Sequence, residues 1–169
     1  MTNLPPQPSP TVPLIFKIFS LNRYFVWCAE MRQHYLDVGR QVSPTPSFFD
    51  NPDAGRAFMY LSYWYAGLYV VCEGWQNSKL SDPEIDDLLK SPHLGFLKQF
   101  RHGVYHYQAD YFDKRFMNAL MRGKDFDGWA ESLTLAFARY FDAWIKSQTD
   151  ALSAFSGAQP AAYLGDAEL

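Results

Sequence analysis

Apolar residues recur at intervals of three and four from Leu14 onward: Leu14, Phe16 (or Ile15), Ile18, Phe19, Leu21, Phe25, Cys28, Met31 and Tyr35. That spacing predicts an amphipathic helix to about Val38. Gly39 and the SPTPS segment end it. Asn51-Pro52 then offers a cap residue followed by proline at the first helical position. The helix it opens, over about 52–77, carries FMYLSYWYAGLYVVCEGW. It is apolar on nearly every side, which predicts the central helix of the fold. Ser81-Asp82-Pro83-Glu84 reads as a capping box opening a short helix, IDDLLKS, closed by Ser91-Pro92. A further helical segment covers about His93 to Leu120, with room for one break near Gly103 or near Asp110–Asp113. Gly123 punctuates, and a last helix over about Phe126 to Ser147 carries Trp129, Leu133, Phe137, Tyr140, Phe141 and Trp144 as its apolar stripe. No stretch alternates apolar and polar residues over six positions, and no hairpin dipeptide occurs. The pattern predicts an all-α, up-and-down bundle of four to five helices over residues 14–148. A Pro-rich arm over 1–13 and a loosely ordered tail over 149–169 are expected to flank it.

Composition narrows this picture. A chain of 169 residues suits one domain with a real core, and 18% aromatics predicts a core built on large rings. Cys28 and Cys72 lie inside apolar runs with no C-x-x-C motif, and read as buried thiols in a reducing compartment. The first residues, MTNLPPQPSPTVP, have no basic region and five prolines, unlike a secretory leader. Both features point to the cytoplasm. The longest uncharged run lies between Arg56 and Glu73 and includes four tyrosines. It is too short and too polar for a membrane span, so no membrane association is expected. A net charge of −3 excludes a globally basic nucleic-acid binder but leaves room for a local patch.

The polar residues inside apolar segments are the candidates for chemistry. Glu73 is the first charge after sixteen uncharged residues. Either it faces a site and pairs with an arginine or histidine, or the helix reaches solvent there, where Gln76 and Asn77 follow. His102, His106 and Asp110 are spaced by four, so on one helix they would form a stripe able to hold a metal. No E-x-x-H or H-E-x-x-H supplies the remaining ligands; His34 reads as a boundary residue and His93 as exposed. Arg101 and His106 suit phosphate chemistry instead. Arginine binds phosphate bidentately and stays charged, while histidine moves protons near neutral pH. Together they could cleave RNA by attack of the 2′-hydroxyl on the adjacent phosphate, without metal or other cofactor. Five residues apart, they would sit roughly 140° apart on a regular helix. They meet only if Gly103 loosens the turn or a second copy completes the site. From Lys98 to Lys124 there are six basic and two acidic residues, and Tyr105, Tyr107 and Tyr111 could stack on bases or simply pack.

The string RHGVYH, Arg101 to His106, resembles the signature of the HEPN superfamily: arginine, a polar residue, then histidine with four residues between the first and last. Here His102 fills the polar position. LYVVCEGWQ, DPEIDDLL and LKQFRHGVYHYQ are also similar to a group of uncharacterised bacterial HEPN-like proteins, over about residues 15–147. The resemblance implies a helical bundle that dimerises with its two motifs facing each other. It implies a metal-independent endoribonuclease acting in a toxin–antitoxin, abortive-infection or anti-phage setting, with RNA and an antitoxin or other defence-system protein as partners. Some members are instead non-catalytic modules that bind a protein or nucleic acid. On this reading Arg101 binds phosphate, His106 is the general acid or base, and His102 supports them. Glu73, Tyr105, Tyr107 and Gln108 are candidate supporting residues. One toxin subgroup carries a modifiable tyrosine two residues after the histidine; Gln108 stands there here, with Tyr107 beside it.

Overall fold

The computed structural model describes residues 13–40 and 51–157, with side chains up to 149. It is all-α, with no strand among the described residues. Six helices follow in order: α1 (Leu14–Gly39), α2 (Pro52–Ser78), α3 (Pro83–Leu88), α4 (His93–Tyr105), α5 (Lys114–Leu120) and α6 (Lys124–Gly157). The expected four to five become six because the segment from His93 to Leu120 is interrupted over residues 106–113. The last helix runs to Gly157, ten residues beyond the Ser147 end that its apolar stripe suggested. Residues 1–12 of the expected arm and 158–169 of the expected tail lie outside the described residues.

α2 is the central helix, as its nearly continuous apolar surface required. The Asn51 side chain accepts from the backbone N–H of Asp53 (3.0 Å) and Ala54 (3.3 Å), and Pro52 fills the first position. Trp64, Tyr65, Leu68, Val71, Cys72 and Trp75 of this helix are all buried. α1 packs along one side of it and α4 along another. α6 closes the third side: Trp75 meets Phe137 edge-on at 5.6 Å, and Phe25 of α1 reaches Phe141 at 5.2 Å. Of the first apolar stripe, Ile18, Leu21, Phe25 and Cys28 turn inward, whereas Leu14, Phe16 and Phe19 remain exposed.

Several buried polar groups in this aromatic core pair across helices, while the Ser62 hydroxyl and His93 Nδ1 have no hydrogen-bond partner among the described residues. The Trp64 indole donates to Thr134 (3.2 Å), and the buried Tyr65 hydroxyl donates to Asp127 (2.6 Å). Burial first, and that bond second, push the Tyr65 hydroxyl far above its ordinary pKa. Arg32 grips Glu131 with two bonds, tying α1 to α6. The expected capping box on Ser81 does not form: Asp82 is the cap, accepting from the N–H groups of Glu84 (3.1 Å) and Ile85 (3.2 Å), and the third helical position is Ile85, which cannot bond back. Ser81 donates instead to Asp86, which also accepts from the Trp75 indole. Arg139 of α6 clamps Asp82 (2.6 Å) and Glu84 (3.0 Å).

Candidate functional site

α4 is amphipathic: Leu97 and Phe100 are fully buried, and Arg101 and His102 sit half-buried beside them. Gly103 does not loosen the helix. A Cβ there would stand 2.9 Å from the Phe116 ring and 3.3 Å from the Arg115 Cβ, so glycine is what lets α5 approach α4. The helix ends at Tyr105. His106 has extended backbone angles (φ −129°, ψ 131°) and lies outside the helix.

This corrects the angular expectation for the motif. Arg101 and His106 are not 140° apart on one regular helix, because the second of them is not on it. His102 and His106 nevertheless remain neighbours, with rings stacked at 5.9 Å and 16°. The segment after His106 is tied down locally. Gln108 donates to the His106 carbonyl and accepts from Arg115, which also meets Asp113 at 3.2 Å. Asp113 in turn caps α5 through the Arg115 N–H (2.8 Å). Gln108 thus holds the turn that carries His106. Asp110 accepts from the Phe112 N–H at 2.9 Å and does not join the two histidines. Among the described residues no group of three His, Cys, Asp or Glu side chains is arranged to hold a metal ion.

Arg101 is the distinctive member of the set. Its Nε is shielded from solvent and has no hydrogen-bond partner, an arrangement that costs free energy unless a ligand fills it. Arg32, Arg40, Arg56, Arg115 and Arg139 are each held by a carboxylate. Among the described residues, no carboxylate lies within 4.0 Å of Arg101. Glu73 on α2 is exposed, so the second helix does reach solvent at this point. The two are nonetheless neighbours of one group, Tyr69. Burial and then the Glu73 charge raise the Tyr69 hydroxyl pKa, and Arg101 lowers it. Tyr69, one turn before Glu73, lies near both charges and was not among the residues expected from the sequence; its spacing of four from Glu73 was the available signal.

The tyrosines divide. Tyr105 is 55% exposed and meets Tyr63 of α2 edge-on at 6.5 Å, while Tyr107, at 93% exposed, stands out into solvent. Tyr111 and Phe112 are exposed beside it. His34 sits at the boundary as expected, stacked on Tyr60 and 3.3 Å from Glu30. His93 is not exposed: it is buried against Phe126 and Trp129, with Nε2 3.1 Å from Asp125. Cys28 and Cys72 are buried free thiols whose pKa values burial raises. No helix among the described residues is long and apolar enough to cross a membrane. No family model, curated protein or solved structure matches the chain.

Proposed function

We propose that this chain is a HEPN-like, metal-independent endoribonuclease whose centre is the Arg101–His102–His106 set. The observation that carries the reading is the half-buried Arg101 guanidinium, which has no carboxylate within 4.0 Å and no hydrogen-bond partner at Nε, close in the chain to a stacked histidine pair. A guanidinium left without a carboxylate is chemically ready for a phosphate. In the reaction the 2′-oxygen of one nucleotide bonds to the adjacent phosphorus and the bond to the 5′-oxygen breaks. His106 takes the proton from the 2′-hydroxyl, a proton returns to the departing 5′-oxygen, and Arg101 holds the charge that grows on the phosphoryl oxygens. The products are a 2′,3′-cyclic phosphate and a 5′-hydroxyl. The exposed aromatic turn of Tyr107, Tyr111 and Phe112 supports a second copy docking next to the motif. A toxin–antitoxin, abortive-infection or anti-phage role in the cytoplasm is part of the same proposal.

The same exposed turn favours a second reading, a non-catalytic module that binds a protein or nucleic acid. One experiment separates the two. Purified protein is incubated with mixed RNA in EDTA, alongside Arg101→Ala and His106→Ala. Cleavage that ignores the chelator and disappears in both variants supports the enzyme. Absence of cleavage with retained RNA or protein binding supports the module, and cleavage abolished by EDTA overturns the metal-independent mechanism.

A further inference from the structure

A cleft of about 350 Å³ opens beside the motif. It is lined by Tyr24, Trp27 and Met31 of α1, Tyr63 and Val70 of α2, and Tyr105 of α4. Three of these aromatics are well exposed: Trp27 is 56%, Tyr63 44% and Tyr105 55% accessible. An apolar opening of this kind on a described surface calls for an occupant.

Its charge surroundings say which. Arg23 lies over the Tyr24 and Trp27 rings, 5.5 and 5.6 Å from their centroids. Its only polar contact among the described residues is the Ser20 hydroxyl at 3.4 Å, and it has no carboxylate within 4.0 Å. At the other end Arg101 stands one helical turn before Tyr105, on the same face of α4. Two guanidinium groups free of carboxylates therefore bracket flat, accessible rings. Glu30 also lines the cleft, with the His34 Nε2 3.3 Å from its carboxylate, so the cleft carries one acidic group against the two guanidiniums. Cations at the ends and rings between them match a polyanion carrying planar bases.

We propose that this cleft is a stacking subsite for one unpaired base of an RNA strand, adjacent to the phosphate held by Arg101. The proposal rests on the RNA reading above and deepens it. A base in a duplex is covered on both faces by its neighbours and cannot enter a cleft between rings. An unpaired base can, and any of the four will stack because each has a π face. The cleft therefore makes the protein selective for single-stranded segments, with little preference for sequence at that position.

The test uses His106→Ala protein in EDTA, so that binding is read without cleavage. The probes are a fluorescein-labelled twelve-nucleotide single-stranded RNA of mixed sequence and the same strand annealed to its complement. Binding is followed by anisotropy and by intrinsic fluorescence. Of the five tryptophans, Trp64, Trp75 and Trp129 are buried and Trp144 half-buried, so quenching reports mainly Trp27. The single strand is expected to quench Trp27 and to bind well above the duplex. Trp27→Ala is expected to weaken it by about 10- to 100-fold, while Trp27→Phe keeps most of the affinity. Because Trp27 is largely exposed, both variants should fold; Tyr105→Ala repeats the test from α4. Equal affinity for strand and duplex, an unchanged Kd in Trp27→Ala and Tyr105→Ala, or no RNA binding by any form overturns the subsite. So does Trp27 shielding that rises with protein concentration alone, because a second copy then occupies the cleft. Single-strand binding through Trp27 with no cleavage by the wild type sinks the nuclease reading and leaves the cleft standing. Cleavage with no role for Trp27 or Tyr105 does the reverse.

Discussion

Gly103→Ala tests how the motif is held. In an exposed helix interior the change from glycine to alanine stabilises by about 1 kcal/mol, because alanine gives up less backbone entropy. At Gly103 the added Cβ would stand 2.9 Å from two Phe116 ring atoms. That ring cannot simply step aside. It packs edge-on against Phe100 at 5.2 Å and against Phe58 at 5.9 Å. Overpacking of this kind costs roughly 1–3 kcal/mol. The cost outweighs the propensity gain, and the net expectation is a loss of about 1 kcal/mol. Gly128 in α6 is the control, since a Cβ there meets nothing within 4 Å. Gly128→Ala should stabilise by somewhat under ~1 kcal/mol. Urea unfolding of both variants therefore predicts midpoints displaced in opposite directions at unchanged slope. If Gly103→Ala is as stable as Gly128→Ala, α5 does not press on α4 as described, and the local anchoring of His106 fails with it. A displaced α5 should also loosen the turn, because Arg115, which holds Gln108, stands in the first turn of that helix.

Tyr65→Phe removes a buried hydroxyl bond to Asp127 and should cost about 2 kcal/mol at neutral pH, measured by urea unfolding. The folded-state pKa of Tyr65 is raised, so its contribution is intact at neutral pH and up to about pH 10 and is lost as pH rises beyond that; the gap between wild type and variant should narrow there. Asp82 behaves oppositely: the Arg139 bond chiefly lowers its pKa, so its contribution is present above about pH 4 and fades as pH falls further. Asp82→Asn keeps a capping side chain and should reduce this acid sensitivity, read as thermal midpoint against pH. Cys28 and Cys72 should not react with a thiol reagent in the native state and should both react in urea, since burial keeps both protonated; a fast native reaction at either would contradict their burial.

The parts of the fold that were legible in the sequence are those set by local chemistry. Asn51-Pro52 marked the start of α2 because a cap and a preset φ act within four residues. The nearly continuous apolar surface of α2 marked its central place, although Met59, Tyr63 and Glu73 keep one edge of it exposed. The His93–Leu120 segment was harder. Its apolar spacing crosses the break, and the break near Asp110–Asp113 is decided by the Asp113 cap together with the Arg115–Gln108–His106 chain, which ties α5 to the turn that follows α4. His93 was misread for a similar reason: its cover comes from Phe126 and Trp129, more than thirty positions away.

The same break changes what the motif implies. On a continuous helix, Arg101 and His106 diverge, and a second copy is the natural way to bring two such groups to one phosphate. With His106 past the helix end, one chain is free of that angular conflict. The argument for a second copy therefore passes from the helix geometry to the exposed turn of Tyr107, Tyr111 and Phe112. Cleavage and dimerisation become separable. If a second copy docks on this turn as proposed, Tyr107→Ala, which removes a side chain making no contact that holds the turn, should weaken self-association while leaving Arg101 and His106 in place. If cleavage falls in step with the dimer, both copies contribute to the centre; if cleavage persists in the monomer, one chain suffices.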